Sequence, residues 1–307
     1  MYIGAVLDVL RKSHLPSVVL LSLFFGTNLV VSRFALGQIH PLVYTAIRLL
    51  IAAILAVVWT LLRHGRLPRG RTIWLHGAVV GVFATAVPMV FYISSLQYQS
   101  SGVTALFISL TPISAMIYGH FRLSDDRMTV RKIIGSVVSF GGVGLLLATG
   151  ETGLGEARWE GFVFVLIGVA AAGYGIAHVR KYLSSERSLD IVTVRLLVAS
   201  VVTIPFAFIP DGLDLSRIQW SGVAALAYGA VGGTLLGFLL YSFVGARFGP
   251  TKATQTEFLV PVITVVTGAI FLAEQVSIIV ITGMVTALAG IAIATWRRSP
   301  AAAASSS

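Results

Sequence analysis

Polar residues punctuate this chain rather than pattern it. Apolar runs of about 20 residues follow one another from residue 16 to residue 296, separated by short joins carrying Gly, Pro, Arg or Asp. Each run is as long as a helix needs to cross the hydrocarbon layer of a bilayer. Apolar side chains occupy every face instead of alternating, which favours helices over a barrel. Ten spans are predicted, at about 16–36, 42–62, 73–94, 102–121, 133–150, 159–179, 189–209, 220–244, 253–273 and 279–296. The expected fold is all-α integral membrane, with ten transmembrane helices.

The pattern also states itself twice. Thr85, Pro88, Tyr92 and Pro112 recur 149 residues later as Thr234, Gly237, Tyr241 and Pro261. Arg33 and Arg48 are 15 residues apart, as are Arg180 and Arg195, and Gly135 and Gly142 of span five are matched by Gly283 and Gly290 of span ten. Five spans precede residue 150 and five follow it. An odd number of crossings makes the second copy enter the membrane from the opposite side, so the expected halves are inverted. They run over residues 1–150 and 151–298, with a low-complexity tail at 299–307 that is left out of the reading.

Composition sharpens the class. The 307 residues are 56% hydrophobic and 11% charged, against about 25% charged in soluble domains. There is no cysteine, hence neither disulfide nor thiolate metal site. The net charge of +10 would suggest a nucleic-acid partner in a soluble protein. Here it follows the spans: with the N-terminus inside, 17 of the 22 Lys and Arg fall in inner segments and 2 in outer ones. Both termini are therefore expected on the cytoplasmic side, in a bacterial-type inner membrane, with no nucleic acid involved.

One stretch of residues carries a family likeness over about 15–296. It includes Phe25-Gly26-Thr27-Asn28 with Arg33, Pro41 and Arg48, then Leu96 through Pro112, then Gly249 through Pro261 followed by Leu272-Ala273-Glu274. This pattern resembles the drug/metabolite transporter superfamily in its EamA-type branch. Phe25 stands where that branch usually has tryptophan, and Asp125 or Asp126 where it has glutamate. The resemblance implies a secondary transporter working by alternating access around a central cavity. It also implies a small organic metabolite as substrate, with amino acids, aromatic ones included, as the first candidates and export as the direction. Two alternatives stay open: a phosphorylated or nucleotide-linked substrate, which would need several basic groups in the cavity, and a membrane-embedded enzyme. No H-E-x-x-H, G-x-S-x-G, Walker-type loop or paired intramembrane carboxylates support an enzyme, and the six histidines lack metal-ligand spacing. No cofactor is expected; the partners are the substrate, the bilayer and protons as a candidate coupling ion, in a monomer or weak oligomer.

The candidate site comes from polar groups inside apolar helices, which are costly in lipid and tend to face a bundle interior. Asn28 is either a substrate contact or an interhelical hydrogen bond. Tyr92 and Tyr241 approach from opposite halves, or act as interfacial anchors. Tyr174 and His178 share one face of span six, the histidine near its cytoplasmic end. Lys252, Thr254, Gln255 and Glu257 open span nine; Thr254 and Gln255 are candidate contacts. Glu257 with Lys252 is a candidate for coupling or gating, against a plain Lys–Glu pair at the interface. Pro88, Pro112, Pro261 and Gly237 are candidate hinges, because a mid-helix proline frees a carbonyl and permits a kink. Arg33, Arg48 and Arg195 are expected to snorkel or brace helices. The apolar lining is drawn from Phe24, Phe91, Tyr92, Tyr174, Phe238 and Tyr241.

Overall fold

The computed structural model describes residues 14–123, 128–154, 158–209, 218–248, 253 and 255–295, and every described element is helical. The spans are α1 His14–Ala35, α2 Pro41–His64, α3 Arg71–Ser95, α4 Ser101–Arg122 and α5 Val130–Thr149. They continue with α6 Trp159–Tyr182, α7 Ser188–Phe208, α8 Trp220–Phe248, α9 Thr256–Leu272 and α10 Ile278–Thr295. Nine are long and apolar enough to cross a bilayer, and α9 is a shorter apolar helix of 17 described residues. Lys252, Thr254, Gly249, Pro250, Asp125, Asp126 and the tail lie outside the described residues.

The helix ends follow local chemistry. Pro41 opens α2, where its missing amide is no loss, and Gly65 closes it at φ 68°, a conformation glycine adopts without steric cost. Ser100 caps α4 by accepting from the Val103 amide at 3.1 Å, and Thr129 caps α5 from Lys132 at 3.4 Å. The joins sort to two ends. Those after the odd-numbered helices touch one another: Ser100 N–H donates to Thr152 O at 2.7 Å and Gln219 N–H to Gln38 Oε1 at 2.9 Å. This is called the Glu274 end; the opposite one is the Gly65 end.

Lipid supplies no hydrophobic drive between helices, so close approach decides which pairs form. The α5–α10 seam shows how. A Cβ on Gly135 would strike the backbone of Gly290 and Ala294, and one on Gly142 would strike that of Gly283 and Ala287. Ser139 Oγ donates to Ala287 O at 2.9 Å in the same seam. As numbers rise on α5 they fall on α10, so the two helices run antiparallel, with the same glycine spacing on both. Elsewhere α1 packs on α9, α4 on α6, α3 on α6 and α7, and α8 on α1 and α2. Large apolar side chains such as Leu62, Phe121 and Trp220 stand exposed on the outer surface, where acyl chains would meet them.

Two spans are not regular. In α3 the turn Val82–Ala86 is a π-helix, and in α8 the stretch Gly229–Leu236 is one. Each ends just before the candidate hinge, Pro88 in one and Gly237 in the other. Pro112 opens the second part of α4 after a break at Ser109 and Leu110, whereas Pro261 sits inside a continuous helix. The freed carbonyl four residues before Pro112, Ile108 O, accepts from Thr111 Oγ1 at 2.6 Å.

Candidate functional site

The two π segments are each gripped by an arginine from the other half of the chain. Arg48 of α2 donates from Nε to Thr234 Oγ1 at 2.7 Å, and Arg195 of α7 donates from Nε to Thr85 Oγ1 at 2.8 Å. Thr85 and Thr234 are the repeat-related pair. Arg48 lies near the Glu274 end of its helix and Arg195 near the Gly65 end, so the contacts mirror one another. Neither guanidinium snorkels. Arg48 is fully buried, donates again to Ser32 Oγ at 3.2 Å and lies 5.9 Å from the centre of the Tyr44 ring. Arg195 is half-buried, donates to Ala84 O at 2.8 Å and lies 4.0 Å over the Phe238 ring. The two ends of the bundle are thus differently packed around equivalent bonds.

Beside Arg195 two of the aromatic candidates, Phe238 and Tyr241, meet on Phe25, whereas Phe91 pairs with Phe164 and Tyr174 with Phe83. Phe25 meets Phe238 at 6.3 Å and Tyr241 at 6.5 Å, ring centre to ring centre. The lining ring on α1 is Phe25, the neighbour of the expected Phe24; its spacing of three from Asn28 marks their common face. Glu257, in the first turn of α9, is half-buried. Gln255 immediately precedes that helix. Tyr92 packs against Gly168, where a Cβ would lie 2.5 Å from its ring, and Asn28 lies against Gly233 in the same way.

Five buried side chains hold a polar atom with no hydrogen-bond partner among the described residues: Asn28, Arg48, Tyr92, Gln99 and His178. Buried polar atoms are nearly always paired, so these have spare bonding capacity. Asn28, Tyr92 and His178 are among the candidate residues of the sequence.

Tyr174 and His178 sit apart from this centre, in a cluster towards the Gly65 end. His178 Nε2 is 3.0 Å from His76 Nδ1, and the Tyr182 ring stacks on His76 at 4.2 Å. Arg122 donates to Tyr174 Oη at 3.2 Å and covers its ring at 4.7 Å. At the other end Arg33 is tied down rather than free. Its Nε is 3.4 Å from Glu274 Oε1, and Glu274 also accepts from the Ser101 amide at 2.9 Å and the Ser101 hydroxyl at 2.7 Å. Ala273, at φ 52°, turns the chain so that this carboxylate points back into the bundle. A vestibule of about 800 Å³ opens there, with Arg33, Gln38, Gln97 and Gln275 on its walls. Neither the His76 partnership nor the Arg33–Glu274 link has a local sequence signal, since each joins residues far apart in the chain.

Known proteins give a consistent comparison. The sequence profile of the EamA-like transporter family matches this chain twice, at residues 14–148 and 159–296. The chain is 25% identical over 280 residues to a Bacillus subtilis protein named Uncharacterized transporter YvbV, covering 89% of this chain and 88% of that one. It is 24% identical over 249 residues to the Escherichia coli K12 protein named Uncharacterized inner membrane transporter YedA, covering 81% and 79%. A chloroplastic WAT1-related protein of Arabidopsis thaliana is 25% identical over 291 residues, 91% of this chain and 69% of its own. A solved crystal structure superposes with a TM-score of 0.64 at 16% identity, covering 92% of this chain and 95% of that one.

Proposed function

The chain belongs to the EamA-like transporter family, a multi-pass membrane transporter and not an enzyme, and we propose that it exports a small organic metabolite, an amino acid by first choice, through alternating access between two inverted five-helix halves. The reciprocal arginine–threonine bonds carry this reading. Each crosses from one half to the other, each grips a π segment, and they are packed unequally: Arg48 fully buried, Arg195 partly exposed. Exchanging which bond is sealed is a physical description of switching the open side. By the distribution of basic residues, the Gly65 end and both termini are cytoplasmic.

The substrate site in this proposal lies among Phe25, Asn28, Tyr92, Phe238 and Tyr241. Asn28 and Tyr92 offer unpaired polar atoms to the substrate, and the rings offer an apolar wall. Glu257 governs coupling or gating, with Gln255 just before its helix; Lys252 and Thr254 belong to the same polar cluster in the sequence. Tyr174 and His178 serve the entrance at the Gly65 end. Pro88, Pro112, Gly237 and Pro261 are the points at which this proposal lets the spans flex. A phosphorylated substrate is less well served, since Arg48 and Arg195 are committed to protein oxygens and Arg33 to Glu274. A proteoliposome flux screen of amino acids, nucleosides and sugars, with and without a pH gradient, tests the reading. Flux of an amino acid supports it; silence with every solute alongside chemical turnover overturns it.

A further inference from the structure

On the membrane-facing surface a groove of about 460 Å³ runs between α2 and α8 towards the Gly65 end. Its walls are apolar, with Val58, Trp59 and Leu62 on one side and Val231 and Leu235 on the other; its single charged lining residue is Arg63. The groove has a local cause. Val231, Leu235 and Leu236 lie in the π segment of α8, whose wider turn departs from regular α-helical spacing. Trp59 is 46% exposed and Leu62 84%, so the groove opens to the bilayer.

We propose that this groove is a binding site for an anionic glycerophospholipid. One acyl chain lies along Val58, Val231 and Leu235, and the phosphate sits on Arg63. Trp59 is one helical turn before Arg63 on the same face, where an amphipathic ring meets the headgroup level. The chemistry commits the site to a lipid rather than to a second helix. An apolar partner would bury the Arg63 guanidinium without an anion, a costly state. A phospholipid supplies the apolar chain and the anion in one molecule. Arg66, Arg69 and Arg71 follow in and after the adjoining join, all exposed. The acidic side chain nearby, Asp190, is held by His64 at 3.7 Å. Basic pockets between transmembrane helices are known to take such headgroups.

Tryptophan fluorescence tests this in the full chain. Trp74, Trp159, Trp220 and Trp296 are replaced by Phe, leaving Trp59, and folding is checked by circular dichroism. The protein is placed in phosphatidylcholine vesicles containing rising fractions of brominated phosphatidylglycerol or brominated phosphatidylcholine. Half-maximal quenching is expected at about fivefold lower mole fraction for the anionic lipid, the preference one arginine confers near a membrane surface. Arg63→Gln should abolish the preference and Arg63→Lys keep it, while Leu235→Trp, read through lost binding in native mass spectrometry, should fill the groove. Equal quenching by both lipids, or a preference surviving in Arg63→Gln, overturns the proposal. So does relief of quenching by soluble glycerol phosphate, which would mark a free-phosphate site, or a cross-linked dimer through Trp59 that excludes both lipids.

Discussion

Arg195 donates from Nη2 to Ala84 O, the carbonyl that a regular α-helix would pair with the residue four on, which here is Pro88 and has no amide hydrogen. A defect in one half of the chain is thereby repaired by a charged side chain from the other. Replacing Arg195 by Gln should strand that carbonyl and lower stability by about 2 kcal/mol. Pro88→Ala restores the missing donor, so the double variant should recover part of the loss. Thermal unfolding midpoints in detergent give the comparison, and strict additivity of the two changes would refute the link.

The Arg48 bond is expected to behave differently because its surroundings are closed. Thr234→Val leaves a fully buried guanidinium short of an acceptor, whereas Arg48→Met removes the charge along with its needs. Breaking a buried polar contact from one side costs more than deleting it. Thr234→Val should therefore destabilise by about 2–3 kcal/mol, and by more than Arg48→Met. A reversed order in the unfolding midpoints would rule out this account.

At the Glu274 end the carboxylate serves two partners at once, so a charge swap should fail. Arg33→Gln and Glu274→Gln should each slow flux. The swap of Arg33→Glu with Glu274→Arg restores opposite charges but leaves the Ser101 amide and hydroxyl facing a cation. Full recovery of flux and stability in the swap would show that Glu274 acts as a point charge alone.

The glycine seam makes a control available within one helix. Gly142→Ala places a methyl against the Gly283 and Ala287 backbone, while Gly141 and Gly144 face open space. The first should lower folded yield; Gly141→Ala and Gly144→Ala should be neutral or stabilise by up to about 1 kcal/mol, since alanine is the better helix former. Size-exclusion recovery after heating distinguishes them.

Glu257→Gln tests coupling directly. If the carboxylate handles a proton, counterflow of substrate should persist while accumulation driven by a pH gradient disappears. Unchanged transport with unchanged pH dependence would remove Glu257 from the mechanism.

Most of the fold was legible in the sequence because lipid enforces a simple rule: apolar runs of spanning length become helices. The sequence also carries the expected repeat, in Thr85 and Thr234, Pro88 and Gly237, and the glycines of α5 and α10. What these residues do was harder to read. Arg48 and Arg195 look like interfacial cations by position along their spans, and only their folded neighbours show them turned inwards. Arg33 and Glu274 are 241 positions apart, and His76 and His178 102, so no periodicity joins them. The π segments escaped because glycine and proline signal a bend without stating which kind. Phe25 rather than Phe24 faces Tyr241 for a related reason: a helix apolar on all sides gives no clue to its rotation.

The glycines of the seam between α5 and α10 are spaced alike on both sides, as where two identical subunits meet about a two-fold axis. In this protein both sides belong to one polypeptide. A substitution on α5 is not copied onto α10, nor one at Arg48 onto Arg195. Identical subunits would have to seal or open both arginines alike whenever they kept their symmetry. A single chain is free of that restriction, and can favour one direction across the membrane by residues written only once.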